Sequence, residues 1–251
     1  MIVQIYEIQT PDEAEQCIEL GVDHIGSVIL SQDEWRVPLL REVIRLSDGT
    51  GAKNSLIPLF ADSDTLYRAL DYYCPHYVHF CDSLTDNDGR KIELDGFIRS
   101  QSSLREKFPE IGIIRSIPIP QEGTAPHFPT LSIARALEPV SDVFLTDTFL
   151  EKEPVTGFIG ITGKTVDWEM ARDLVVQSQI PVILAGGLSP ENVYEAVVKV
   201  LPAGADSCTQ TNQVDQKGSP ARFKKDFQKV EAFVKAVRRA ETAISHAKHK
   251  V

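Results

Sequence analysis

The chain has 251 residues, of which 42% are hydrophobic and 25% are charged, proportions that are ordinary for a globular protein. Its formal net charge of -10 argues against a nucleic-acid partner, because such partners normally bind to a basic surface. No apolar run approaches the ~20 residues of a membrane-spanning helix, and the four cysteines have no C-x-x-C spacing, so the sequence predicts no membrane partner, no disulfide framework and no metal site.

Short apolar runs alternate with helical patterns along the whole chain. The first run, IVQIYEI, follows no basic or apolar leader segment, which predicts a cytoplasmic protein. It precedes a helix that opens with a capping box at Thr10 and Glu13 and with Pro11 at the first helical position. Seven more apolar runs follow, each with a helical pattern behind it: HIGSVIL, SLIPLFA, HYVHFCD, IGIIRSIPI, DVFLTDTFL, PVILAGGL and GADSCTQT. The last helical pattern is FKKDFQKVEAFVKAVRRAE.

The strand-helix units predict the fold class. Eight such units in about 250 residues fit a closed (β/α)8 TIM barrel, and the mostly apolar strands are typical of a sheet that helices cover. No linker or block of like charge divides the chain, so we expect one domain over residues 1–251. An open doubly wound sheet is the alternative, although the G-x-G-x-x-G motif of dinucleotide-binding sheets is absent after the first strand.

The active site of such a barrel lies on the loops that follow the strands. Polar candidates at these strand ends are Tyr6, Glu7, Asp62, His79, Cys81, Asp82, Arg115, Asp147, Thr209 and Gln210. Asp147 is distinctive because it is an acid inside the apolar strand FLTDTF. Burial raises the pKa of a carboxyl group, which suits a general acid near neutral pH. A carboxylate that merely bonds to a neighbouring loop is the alternative interpretation.

Two glycine-containing loops are candidates for binding phosphate. Gly163 and Lys164 belong to a G-K-T tripeptide, but the first glycine of a P-loop is missing at the required distance, so we interpret this loop as a hinged lid beside Asp147. Gly186 and Gly187 follow the seventh strand and precede a helix, which is the usual phosphate site of these barrels. A tight turn without a ligand is the alternative for these two glycines.

Several of these segments together resemble the phosphoribosylanthranilate isomerase family. GKTVDW is similar to that family's G-T-G-x-x-F-D-W loop, and PVILAGGLSPENV to its seventh strand and phosphate loop. FLTDTF resembles its L-L-D-S strand, and VQIYEIQTPDEA its opening V-K-I-C-G-I-T-x-P-E-D-A. The resemblance implies a TIM-barrel isomerase of tryptophan biosynthesis, a monomer or homodimer, that performs an Amadori rearrangement on a small phosphorylated substrate. The family reaction needs no cofactor or metal.

The resemblance also implies roles for individual residues. Asp147 matches the general acid, and Arg36, in EWRV, matches the arginine that pairs with the anthranilate carboxylate. The residues expected to bind the rest of the substrate are Gly163, Lys164, Gly186, Gly187, Thr209 and Gln210.

The chain departs from the family pattern at the proton-accepting base. The family's Cys is Tyr6 here, and a phenol with a pKa near ~10 is a poor base at neutral pH. Glu7, in place of the family's Gly, could supply a carboxylate, although strand alternation predicts that it faces away from Tyr6. After strand eight, S-S-G-V-E becomes CTQTNQ. Three functions therefore stay open: the isomerase with another base, an enzyme of the same fold for a different sugar phosphate or small metabolite, and a non-catalytic ligand-binding barrel.

Overall fold

The computed structural model describes residues 1–248; residues 249–251, which end the predicted domain, lie outside the described residues. Its main element is a closed barrel of eight parallel strands in sequence order, with the last strand paired to the first. The predicted (β/α)8 barrel is therefore confirmed, and the open doubly wound sheet is excluded.

The strands of the barrel are β1 (Ile2–Ile5), β2 (His24–Ile29), β3 (Lys53–Pro58), β4 (Tyr77–Phe80), β5 (Gly112–Ile119), β6 (Val143–Thr148), β7 (Val182–Leu184) and β8 (Gly204–Ser207). The α-helices are α1 (Pro11–Glu19), α2 (Pro38–Arg45), α3 (Ser63–Tyr73), α4 (Asp95–Lys107), α5 (Thr130–Leu137), α6 (Trp168–Gln177), α7 (Val193–Val200) and α8 (Phe227–Lys248). Two further strands, β9 (Asn212–Val214) and β10 (Pro220–Lys225), pair as an antiparallel hairpin between β8 and α8. No helix within residues 1–248 is long and apolar enough to cross a membrane.

Side-chain caps start α1, where the sequence predicts a capping box, and also α6. At α1, the Thr10 hydroxyl accepts from the amide of Glu13, and the Glu13 carboxylate accepts from the amide of Gln9 and from the Thr10 hydroxyl. At α6, the carboxylate of Asp167 accepts from the amides of the first turn. Such caps satisfy amides that have no partner within the helix.

The core has two layers because each strand is buried on both faces. Outward-facing strand residues such as Val3, Ile25 and Phe144 pack under the helices, in one large apolar cluster. A smaller cluster fills the inside of the barrel and consists of Tyr6, Ile114, Val143, Leu145, Ile183 and Ala185. Burial on both faces explains why the strand sequences are mostly apolar rather than alternating.

The start of the last helix differs from the sequence-based expectation. The pattern from FKKD onward predicts a helix, but residues 220–225 form β10 and α8 begins at Phe227. Lys225 is buried, and its Nζ donates to the carbonyl of Cys208 at 2.8 Å and to Asn212 Oδ1 at 2.5 Å. The carboxylate of Asp226 then accepts from the amide of Gln228 at 3.1 Å, which starts the helix there.

Candidate active site

A cavity lies at the C-terminal ends of the barrel strands, with about 810 Å³ of space between its wall atoms, part of it open to solvent. We call it the mouth cavity; its wall is formed by strand ends, by the loop between β6 and α6, and by Arg222 of β10. Eight of the predicted site residues line it together: Tyr6, Glu7, Asp147, Gly163, Gly186, Gly187, Thr209 and Gln210. Two predicted residues, Arg36 and Lys164, do not line it.

Asp147 stands on β6 in the wall of the mouth cavity. Burial raises the pKa of Asp147 to about 8, and the nearby Asp206 carboxyl adds to the shift, while a hydrogen bond from the Thr148 amide opposes it. Gly160 of the β6–α6 loop packs directly against it, since a Cβ there would lie 2.3 Å from Asp147 Oδ2. The carboxyl is therefore mostly protonated at neutral pH, as a general acid should be.

Asp206, on β8, is a second buried carboxyl group in the same wall, and sequence reasoning missed it. Gln4 Nε2 donates to its Oδ1 at 3.1 Å, and its Oδ2 has no donor within the described chain. Burial raises the pKa of Asp206 to about 7, against opposing effects of the Gln4 hydrogen bond and the Lys225 charge. The signal was present: GADSC, like FLTDTF, places an acid inside a buried strand.

Tyr6 is held by a buried hydrogen-bond network at the base of the mouth cavity. Its hydroxyl lies 2.8 Å from Ser55 Oγ and 2.6 Å from His79 Nδ1, and His79 Nε2 lies 2.8 Å from Ser116 Oγ. Burial raises the pKa of Tyr6 well above its ordinary value and lowers the pKa of His79 to about 3. A phenol that stays protonated is a poor proton acceptor, so this network does not support Tyr6 as the base, and its catalytic role stays a prediction.

Glu7 lines the mouth cavity beside Tyr6, so the expectation that it faces away is wrong. Strand alternation does not reach it, because β1 ends at Ile5 and Glu7 has a left-handed φ of 64°. Its carboxylate accepts from Arg222 Nε at 2.7 Å, from Asn212 Nδ2 at 3.0 Å and from a backbone amide. Burial acts to raise the pKa of Glu7, but these bonds and the Arg222 charge together lower it, so Glu7 is ionised and a weak base.

Arg36 and Lys164 are not among the residues that line the mouth cavity, and their binding roles stay predictions. The Arg36 guanidinium lies over the ring of Tyr72, 4.7 Å from its centroid. The side chain of Arg36 is exposed, and this cation–π contact pairs it with α3. Lys164 contributes its backbone instead: its carbonyl accepts from Thr148 Oγ1 at 2.6 Å, and its exposed side chain faces solvent.

The loop after β7 has the backbone geometry of an anion site. Gly186 and Gly187 have φ of 93° and 59°, conformations that side chains rarely permit. A Cβ on Gly187 would lie 2.5 Å from the Lys164 carbonyl carbon, so the β6–α6 loop closes onto this glycine. The amides of both glycines donate no hydrogen bond within residues 1–248. Across the same loop, Gln210 Nε2 donates to the carbonyl of Gly163 at 3.0 Å.

The remaining strand-end candidates have structural contacts. Arg115 is fully buried and pairs with Asp82 at 2.8 Å outside the mouth cavity, and Asp62 caps α3. Cys81 does line the cavity, but burial raises the pKa of its thiol far above the ordinary value. Among the described residues, no group of three or more His, Cys, Asp or Glu side chains is arranged to hold a metal ion.

Comparisons with known proteins identify the family and agree with the barrel fold. The family model for N-(5'-phosphoribosyl)anthranilate isomerase matches residues 99–236. The N-(5'-phosphoribosyl)anthranilate isomerase of Methanosarcina acetivorans is 34% identical over 248 residues, covering 94% of this chain and 92% of that protein. The solved phosphoribosylanthranilate isomerase of Thermotoga maritima has a TM-score of 0.66 at 20% identity, covering 95% of this chain and 99% of that chain. A phosphoribosylanthranilate isomerase in complex with reduced 1-(o-carboxyphenylamino)-1-deoxyribulose 5-phosphate has a TM-score of 0.64 at 18% identity, with the same coverage of 95% and 99%.

Proposed function

The chain belongs to the N-(5'-phosphoribosyl)anthranilate isomerase family, and we propose that it performs this Amadori rearrangement of tryptophan biosynthesis with Asp147 as acid and Asp206 as base. The observation that carries the assignment of roles is that two carboxyl groups from different strands, Asp206 buried and Asp147 half-buried, line one cavity. Their pKa values of about 8 and about 7 are both close to neutral pH, where general acid and base catalysis is most efficient.

The first step is ring opening. Asp147 donates its proton to the ribose ring oxygen, and the bond between this oxygen and C1' breaks. The lone pair of the anthranilate nitrogen forms a C1'–N double bond, which gives a protonated Schiff base. The raised pKa of Asp147 supports this role, because a carboxyl group with an ordinary pKa would have lost the proton at neutral pH.

The second step is removal of the C2' proton. We assign it to the carboxylate of Asp206, whose Oδ2 has no donor within the described residues and is free to accept a proton. The C2'–H electrons form a C1'–C2' double bond, and the C1'–N electrons return to nitrogen. The resulting enol becomes the ketone of the aminodeoxyribulose phosphate. Glu7 is a weaker candidate because three donors already occupy its carboxylate.

The substrate phosphate fits the loop after β7. The amides of Gly186 and Gly187, which donate no hydrogen bond within residues 1–248, supply donors without a side chain in the way. The β6–α6 loop packs over this glycine pair and against Asp147. This arrangement favours a reaction shielded from water, with phosphate and acid held by the same loop.

Consumption of phosphoribosylanthranilate by the purified protein tests this function. We expect turnover by the wild type and a loss of at least about 100-fold in kcat for Asp147→Asn. Asp173→Asn, which removes an exposed carboxylate on α6, is the matched control and is expected to retain wild-type turnover. Absence of turnover by the wild type would reject the isomerase. Thermal stabilisation by other sugar phosphates would then favour another substrate, and binding that Asp147→Asn leaves unchanged would favour a non-catalytic barrel.

A further inference from the structure

The hairpin of β9 and β10 places one arginine at the mouth cavity. Arg222 is the only Lys or Arg among the described residues that line the cavity, whereas Glu7, Asp147 and Asp206 supply three carboxyl groups. The substrate of the proposed function carries a phosphate at one end and an aromatic carboxylate at the other. Carboxylates in the cavity wall repel an anionic substrate, so a positively charged side chain is needed to bind it. Arg222 is placed to supply that charge.

The guanidinium of Arg222 is hydrogen-bonded at one edge only, and it lies over the ring of Phe223, 4.6 Å from the centroid. Its Nε donates to Glu7 Oε1, while its two terminal nitrogens donate no hydrogen bond within residues 1–248. The side chain is 38% exposed, whereas that of Glu7 is 2% exposed. Four N–H groups therefore remain available to a ligand, in the planar fork that matches carboxylate and phosphate oxygens.

The contacts around the hairpin fix this position. Asn212 Nδ2 donates to Glu7 Oε2, and Asn212 Oδ1 accepts from the buried Lys225 Nζ. The amide of Phe223 also donates to Glu7, and Phe223 has a left-handed φ of 60°, as Glu7 has at 64°. Two non-glycine residues in this strained backbone conformation are thus hydrogen-bonded to each other, and such strain is often retained at binding sites.

We propose that Arg222 binds an anionic group of the substrate, its phosphate or its carboxylate, and that Glu7 is the counter-ion that holds the guanidinium over the mouth cavity. This inference rests on the proposed function for the identity of the ligand. Arg36, predicted for the carboxylate, lies over Tyr72 instead, and the glycine expected after β8 is Gln210, which bonds to Gly163. Arg222 takes up the anion-binding role that these positions leave open.

Isothermal titration calorimetry on the full chain, with inorganic phosphate and with anthranilate as separate probes, tests the proposal. Arg222→Ala is expected to weaken binding of one probe by at least about tenfold and to leave the other unchanged, which identifies the bound group. Arg222→Lys keeps the charge without the fork, so we expect an intermediate loss. Lys224→Ala, an exposed neighbour on β10, is the matched control and is expected to bind both probes like the wild type.

Two further measurements separate this proposal from a structural role and from the proposed function. Glu7→Gln keeps an oxygen for Arg222 Nε but removes a negative charge, so it is expected to tighten anion binding, which a purely structural pair would not do. In the isomerase assay, Arg222→Ala is expected to raise KM by a larger factor than it lowers kcat. Unchanged binding of both probes together with an unchanged KM would overturn the proposal. A wild type that binds a probe through Arg222 but shows no turnover would reject the proposed function alone.

Discussion

Asp147 and Asp206 stand in one wall of the mouth cavity, which apolar strand residues such as Leu145 and Ala185 also line. Neither has an arginine or lysine bonded to it, and each accepts a single hydrogen bond from the described protein. Burial without an ion pair raises both pKa values toward neutrality. These raised pKa values are the basis on which we propose Asp147 as the acid and Asp206 as the base in a chain that has Tyr6 in place of the family's Cys.

The pH dependence of kcat/KM follows from these two groups. Asp206 must be ionised, so activity is expected to fall as pH drops below about 7, and Asp147 must be protonated, so activity falls as pH rises above about 8. We expect a narrow bell-shaped profile of kcat/KM against pH, with its maximum between these two values, when phosphoribosylanthranilate turnover is measured at constant ionic strength. A profile that keeps rising into the range where a tyrosine phenol ionises would point to Tyr6 as the base instead.

The stability of Asp147→Asn is a second consequence of the raised pKa. In the unfolded chain an Asp loses its proton near pH ~3.9, whereas native Asp147 keeps it until about pH 8. Between these values the native state binds the extra proton, so this residue lowers the stability progressively as pH rises. Asp147→Asn has no such loss. The thermal midpoint of Asp147→Asn minus that of the wild type is therefore expected to increase from about pH 4.5 to pH 8. A difference that is independent of pH would contradict this.

The element most closely tied to the chemistry is the β6–α6 loop, which packs on Gly187 through the Lys164 backbone and on Asp147 through Gly160. It is anchored at both ends, by Ile159 donating to the Cys81 carbonyl and by Asp167 capping α6. The G-K-T tripeptide within it lacks the glycine spacing of a P-loop. Among the glycines of the loop, Gly160 is the one that approaches Asp147 closely.

Gly160→Ala tests this role of the loop. Its Cβ would lie 2.3 Å from Asp147 Oδ2, so either the loop or the acid must move, and we expect kcat/KM to fall by at least about tenfold. Gly157→Ala is the matched control, because Gly157 has a similar positive φ of 84° but no heavy atom within 4 Å of an added Cβ. Equal losses in the two variants would mean that backbone strain, not contact with Asp147, sets the effect.

The hairpin is the element that the sequence did not reveal. FKKD continues the helical pattern of α8, and only the buried contacts of Lys225 with Cys208 and Asn212 show why the segment pairs as a strand. The spacing of apolar residues indicates which face of a single helix or strand is buried. It does not indicate the polar contacts of Lys225 with the residues after β8, and these contacts hold the hairpin. Arg222 was therefore absent from the predicted site.

At the scale of the whole molecule, the barrel could be predicted because each parallel strand is buried on both faces and leaves an apolar run in the sequence. The mouth could be predicted only in part. Asp147 and the glycine pair can be recognised from the residues next to them in the sequence. In contrast, Gln4 contacts Asp206 across 202 positions of sequence, and Glu7 contacts Arg222 across 215. Closure of the barrel brings the first strand beside the last, and no local pattern encodes which polar groups meet there.

The proton-accepting role of Asp206 is tested most directly by comparing kcat/KM for phosphoribosylanthranilate between Asp206→Asn and Tyr6→Phe. We expect Asp206→Asn to lose at least about 100-fold, because the amide cannot accept the C2' proton. Tyr6→Phe is expected to remain within about tenfold of the wild type, since its hydroxyl only bridges Ser55 and His79, although it should lower the free energy of unfolding by ~1–3 kcal/mol. An active Asp206→Asn together with an inactive but folded Tyr6→Phe would contradict the assignment of Asp206 as the base.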